Sequence, residues 1–256
     1  MKKLLVLLSI SCSIIFSCEN DIDVKSDSNI ETLQKKTVTG ASASKLMSVG
    51  EQHNYYLDEL YNHLKSQSDL SLSNIDQYSH DYFSTIEFGE EASKQYNFVK
   101  SQGSYASQFS DDFNAEIQNF RTVLENSDFK DMEEFKSFAD NYSVKYIESD
   151  NDLTAWKYYK DVFVSSFEYW SVNIENWYEL IPSSDTTGKG YPICQIYVSW
   201  WKRAFCNVIN FVGMDAAAAA GNVLGSLITG NPIVIGVVAV AALGGSANSV
   251  INNLGE

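Results

Sequence analysis

From Ser48 onward, apolar residues recur three and four positions apart, the spacing that gathers them on one side of a helix. Ser48 and Glu51 have the separation of a capping box, and His53, Tyr56, Leu57, Leu60 and Leu64 follow on one face. After a mostly polar loop over 66–74 come Ile75, Tyr78, Tyr82 and Ile86, broken near Gly89, then Tyr96 and Val99. Beyond Gly103 the stripe is Phe109, Phe113, Ile117, Phe120 and Leu124; Asp128 suits the cap of a helix carrying Met132, Phe135, Phe138 and Tyr142. The clearest pattern lies between Asp152 and Ile181, where Trp156, Phe163, Phe167, Trp170, Ile174, Trp177 and Ile181 form an aromatic seam interrupted at Lys160 and ended by Pro182. At the rise of an α-helix it runs about 45 Å. The seam reads as core, with a groove for an aromatic or sugar ligand as the alternative. Tyr191-Pro192 restarts a helix, which runs through Trp200 and Trp201 and bends at Gly213. Strand signals are weak throughout, so the expected class is all-α, an irregular helical bundle.

The last fifty residues have a different texture. Between Arg203 and Glu256 the one charged side chain is Asp215, and residues 204–256 are rich in glycine and alanine. Gly230 suits a helix end, Asn231 a cap and Pro232 a first helical position, so two antiparallel helices are expected. Small residues recur every fourth position: Ala217, Gly221, Gly225 and Thr229 on the first, Ala241, Gly245 and Ser249 on the second. Gly236 and Gly244 add to them. Glycine costs a helix interior about 1 kcal/mol relative to alanine, so these positions call for close backbone contact in return. Leucine at Gly221 or Gly225 is accordingly expected to lower the melting temperature. The hairpin reads as a buried core; the competing reading sends it into a bilayer. The uninterrupted run Ile233–Leu243 is short of the ~20 residues of a span, and Asn210, Asp215 and Asn222 interrupt the longer helix. Asp215 suits a cap after Gly213, a paired buried charge or a proton-sensitive switch; the cap is the expectation.

Composition adds an address. The formal net charge is −15, which loss of Lys2 and Lys3 would take to −17. Such a chain is a poor partner for nucleic acid or for anionic lipid through broad electrostatics. Met1-Lys2-Lys3 is a basic start, Leu4–Phe16 an apolar run, and Ile15-Phe16-Ser17-Cys18 follows, which resembles the lipobox of bacterial lipoproteins. That resemblance implies a signal peptide over 1–17 and lipid on Cys18, with fatty acyl chains anchoring the protein in the membrane. Glu19, Asp21 and Asp23 resemble the acidic export tag of surface lipoproteins in the Bacteroidota, which implies the outer membrane or cell surface. Residues 18–44 read as a flexible tether and 45–203 as an acidic, aromatic-rich helical domain. Cys194 and Cys206 can pair outside the cytoplasm, but one continuous helix would hold them ~18 Å apart. Helix and disulfide exclude each other, and the helix is the expectation.

Chemistry is sparse. His53, His63 and His80 stand in no metal-binding spacing, and Glu59–His63 is that of a surface helix pair. Gly188-Lys189-Gly190 lacks the spacing of a phosphate loop, and no Gly-x-Ser-x-Gly elbow is present. No catalytic residue, metal or cofactor is indicated. The run from Cys206 through Asp215, Gly221, Gly225, Gly230, Gly236 and Gly244-Gly245 to Ser249 resembles the glycine-zipper segments of bacteriocin-like peptides. With the lipobox, it is similar to uncharacterised Bacteroidota lipoproteins that end in such a segment. The resemblance implies membrane interaction or antagonism, although the basic charge usual in those peptides is missing. Two functions follow as expectations: a non-enzymatic, lipid-anchored envelope protein that binds a protein partner or itself, and a membrane-active, pore-forming protein that inserts its hairpin.

Overall fold

Residues 47–180, 194 and 197–254 are described by a computed structural model, and they fall in one compact unit. The signal peptide, Cys18, the tether and the loop around Gly188 lie outside them. Eight α-helices are present among the described residues: α1 Val49–Lys65, α2 Leu72–Phe83, α3 Gly89–Gln102, α4 Asp111–Asn126, α5 Met132–Asn141, α6 Asp150–Leu180, α7 Trp200–Thr229 and α8 Ile235–Leu254. A short 3₁₀ turn, Ala106–Gln108, precedes α4. The protein is an all-α bundle.

Local sequence explains where helices begin. Ser48 and Glu51 close a reciprocal capping box on α1, and Ser110 caps α4 through the Phe113 amide. Two starts differ from expectation. Asp131, not Asp128, caps α5, because its carboxylate reaches the Glu134 amide while Asp128 is bonded by the Ser199 hydroxyl. α8 begins at Ile235 rather than Pro232: Asn231 gives its amide back to Ser226 and Gly230 adopts a left-handed φ of 71°, so the turn closes on α7 before the chain re-enters a helix. The Glu59–His63 ion pair is also absent; the His63 ring packs on Tyr82, 5.7 Å between centroids.

α8 is the axis of the bundle. Residues 238–250 are buried without interruption, as expected of a helix apolar on every side. α7, α3 and α1 pack directly on it, and α6 runs along the outer side of α7 and against α1. The C-terminal hairpin is thus sleeved by the amphipathic helices that precede it. α6 carries the aromatic seam inward: Trp156, Phe163, Phe167, Trp170 and Trp177 are all buried. α4 and α5 pack over its first half, where Phe120 meets Tyr142, Trp156 and Phe163 edge-on at 4.8–5.6 Å.

Cys194 and Cys206 form a disulfide, with Cα atoms 5.7 Å apart. The expected continuous helix is therefore wrong. Ser199 adopts extended backbone and caps α7 through the Lys202 amide, so the chain ahead of Trp200 leaves the helix line and returns to Cys206.

Candidate functional site

The hairpin's polar content converges on one carboxylate. Asp215 lies in the middle of α7, not at a cap, and is wholly buried. Its Oδ2 accepts from Ser166 Oγ at 2.5 Å and Trp170 Nε1 at 3.0 Å, both on α6. Its Oδ1 is 2.6 Å from Ser246 Oγ on α8. Ser246 Oγ in turn lies 2.8 Å from His53 Nε2 on α1, and His53 Nε2 is 3.7 Å from Asp215 Oδ2. Four helices are tied through a single side chain. The sequence marked Asp215 as the lone charge of the stretch, but its partners come from positions 49 and 45 residues upstream and 31 downstream, and from His53 far outside the hairpin.

The geometry sets the proton count. Asn54 Nδ2 donates to the Ser165 carbonyl at 2.8 Å, which fixes its Oδ1 toward His53 Nδ1 at 3.1 Å. An acceptor there requires a proton on Nδ1. Ser246 has a single hydroxyl proton for two neighbours. With Asp215 ionised and His53 neutral, that proton would satisfy Asp215 and leave Nε2 facing an oxygen lone pair. The network closes only with one more proton, held on His53 or on Asp215. Burial lowers the His53 pKa against the opposing pull of Asp215 and Asn54, and burial raises that of Asp215 against His53 and its three donors. Both directions favour the neutral forms, so the proton rests on Asp215, and Ser246 relays a hydrogen bond to His53.

Asp, Ser and His in contact invite comparison with a nucleophilic triad, but the order is wrong. The carboxylate touches the serine rather than the far side of the histidine, so it cannot orient an imidazole base. His53, Asp215 and Ser246 are also sealed from solvent. Among the described residues there is no cluster of three or more His, Cys, Asp or Glu side chains fit to hold a metal.

A second buried carboxylate escaped the sequence reading. Glu116 on α4 accepts from Tyr142 Oη at 2.6 Å and from the Lys145 and Tyr146 amides at 2.7 Å each. It pins the α5–α6 connection, and two of its three donors are backbone amides of that loop, which no side-chain pattern announces.

Of the small residues expected to pack the hairpin, Gly245 sits where α8 meets α7: a methyl there would come within 2.9 Å of the Met214 carbonyl. Its neighbour Gly244 faces α3, where a methyl would lie 2.4 Å from the Ala92 carbonyl. Two consecutive glycines thus let two helices approach α8 on different faces. Gly236 lies under the Phe88 ring, 3.1 Å from a virtual methyl, and Phe88 takes a left-handed φ of 62° to place it there. Gly50 on α1, which no pattern flagged, meets α6 at Ser165. Ala217 is buried. The Gly221–Gly225 strip divides: Gly221 is buried, and a methyl there would lie 2.4 Å from Gln108 Oε1 and 3.8 Å from the Tyr105 ring, whereas Gly225 is corrected, since a methyl there meets nothing within 4 Å. The small-residue period marked a helix face but not which stretch of it another helix covers.

The tip of the hairpin emerges from its sleeve. Ile228, Val234 and Ile235 are exposed, together with Phe88 beside them. By length and composition α7 is apolar enough to cross a membrane, a property it shares with core helices of soluble proteins, and most of its apolar window is buried.

The chain matches no family model, no curated protein and no solved structure.

Proposed function

We propose that this chain is a non-enzymatic, lipid-anchored envelope protein whose helical domain engages a protein partner or a second copy of itself, with the glycine hairpin as its packing core. The observation that carries the reading is the sleeve: α1, α3, α6 and α7 surround α8, and the Asp215 knot locks the hairpin to α1 and α6. Burial of this extent stabilises the soluble form, and any insertion must first forfeit it. The Cys194–Cys206 disulfide supports an oxidising compartment, in keeping with export and an anchor at Cys18.

The membrane-active alternative draws on the exposed tip, where Ile228, Val234 and Ile235 carry no charge to oppose lipid. Dye release from phosphatidylethanolamine–phosphatidylglycerol vesicles separates the two. The chain from residue 19 should leave vesicles intact at neutral pH, whether reduced or oxidised. Release that disappears on Ile228→Asp would establish insertion through the tip instead. The anchor has its own test: Cys18→Ala should abolish labelling by a fatty-acid probe, and persistent labelling would refute it.

A further inference from the structure

A cavity of about 430 Å³ opens beside the hairpin where the turn before α4, α4, α6, α7 and the end of α8 meet. That volume falls within the ~300–1,000 Å³ of small-molecule sites. Its inner wall is apolar: Phe109, Phe163, Ile209 and Ala217, with Tyr105 and Tyr159. Three features mark it as built to hold something. The first is Gly213. It lies in the interior of α7, where glycine weakens the helix, yet a methyl there would meet nothing within 4 Å. No neighbouring helix requires it, and what its missing side chain provides is the cavity itself.

The second is Tyr159. Its ring is clamped by Trp156, stacked at 5.0 Å, and by Phe113, edge-on at 6.2 Å, and the residue is 3% exposed. Among the described residues no group bonds its hydroxyl, although Tyr159 lines the cavity. Such a hydroxyl is available to a molecule in the cavity as donor or acceptor. The third is Arg121. In a chain of net charge −15 it is the one charged residue among those lining the cavity. Its Nε holds Glu125 at 2.9 Å, while its two Nη groups bond none of the described residues. A half-exposed guanidinium at the rim and a free hydroxyl on an apolar wall suit one kind of molecule.

We infer that this cavity binds a small apolar monocarboxylate, its hydrocarbon body against Phe109, Phe163 and Ile209 and its carboxylate between Arg121 and Tyr159. Arg121 recognises the anion by charge-assisted hydrogen bonds and Tyr159 donates a further one. The aromatic wall accepts the body without specific polar demands, so chain shape matters less than the presence of the acid. The inference stands apart from the partner-binding reading, which places no partner in this cavity.

Calorimetric titration of the chain from residue 19 with octanoate, and separately with octan-1-ol, tests it. Octanoate should bind saturably at one site and at least tenfold more tightly than the alcohol. Gly213→Leu should fill the cavity and remove octanoate binding while leaving the melting temperature unchanged or higher, because the side chain enters open space. Arg121→Gln should bring octanoate affinity down to that of octan-1-ol and leave the alcohol's unchanged. Tyr159→Phe should cost octanoate a few-fold. Absence of saturable octanoate binding to the unmodified chain, or binding untouched by Gly213→Leu, would overturn the site. Equal affinity for acid and alcohol, indifferent to Arg121→Gln, would overturn the ligand class.

Discussion

Around Phe120, rings from α4, α5 and α6 interlock: Tyr142, Trp156 and Phe163 stand edge-on to it, and Phe138 lies parallel at 6.3 Å. Around Gly244 and Gly245, by contrast, three helices come together with almost no side chain between them. The first region excludes water with bulk and the second with proximity. The difference fixes the sign of a mutation's effect. Where rings fill space, truncation is damaging because a cavity remains. Where backbones touch, enlargement is damaging because rigid carbonyls cannot yield. Trp170 belongs to both regimes: its ring packs on Trp177 and Phe211, and its Nε1 reaches Asp215 in the hairpin.

The largest effects should come from the aromatic region. Phe120→Ala is expected to cost about 3–5 kcal/mol, the usual range for a buried ring. Trp170→Ala should lie at the top of that range, because it also strips a donor from Asp215. Denaturant unfolding measures both. A cost below about 1 kcal/mol for Phe120→Ala would mean that the surrounding rings close over the gap and that bulk is not what holds this half together.

Enlargement at the glycine contact should rank next. Gly244→Leu and Gly245→Leu are expected to destabilise by about 1–3 kcal/mol or more, since each new side chain must push a helix away. Gly244→Ala should already be unfavourable, for its methyl would sit 2.4 Å from the Ala92 carbonyl. Thermal melts decide the matter, and tolerance of leucine at both positions would dissolve the contrast with the aromatic half.

The Asp215 knot belongs to neither regime, and pH probes it. The ordinary values are 6.5 for His53 and 3.8 for Asp215. The folded chain holds one proton on the pair. Above the ordinary histidine value the unfolded chain holds none, so the folded state binds more protons and stability falls as pH rises, until Asp215 itself ionises. Between the two values both states hold one and the contribution is flat. Below the ordinary aspartate value the unfolded chain holds two, and stability falls again as pH drops. One proton corresponds to about 1.4 kcal/mol per pH unit. Burial pushes Tyr105 up, out of this range. Asp215→Asn presents an amide where the protonated carboxyl stood, so it should remove the alkaline slope and be more stable than the parent at pH 8. An unchanged slope would place the proton elsewhere.

How much of this was legible in the sequence follows the same division. The aromatic seam on α6 could be read directly, because a stripe of Trp and Phe at helical spacing reads as core ahead of a ligand groove. The capping box on α1 was equally plain. The hairpin was visible as a class of segment, but its contacts were not. A glycine that touches a helix, such as Gly244, and one that faces open space, such as Gly213 or Gly225, are identical letters at similar spacing. Asp215 stood out by its isolation, yet its four partners are two serines, a tryptophan and a histidine in other helices, ordinary residues until the fold brings them together. The disulfide was missed because the segment between the two cysteines holds no glycine or proline to interrupt a helix, whereas Ser199 makes a cap there. Helical periodicity ranks faces; it does not report where a helix is interrupted by a cap.

The smallest expected effect is the most discriminating test of the glycine half. Gly225 shares its face of α7 with Gly221, and on sequence grounds both belong to one contact strip. In the fold, Gly225 is exposed and a methyl built there meets nothing within 4 Å. Only the intrinsic helix preference then remains. Alanine is favoured over glycine there by about 1 kcal/mol, part of it through a less flexible unfolded chain. Gly225→Ala should therefore raise stability by about 0.5–1 kcal/mol, and Gly225→Leu should do nearly as well, opposite in sign to the same change at Gly245. A differential melt of Gly225→Leu against Gly245→Leu in one buffer isolates contact from propensity, since both substitutions trade glycine for leucine within a helix. If Gly225→Leu also lowers the melting temperature, its face of α7 is covered in solution. None of the described residues supplies that cover, and where a second molecule does, the Gly225→Leu variant should sediment as a smaller species than its parent.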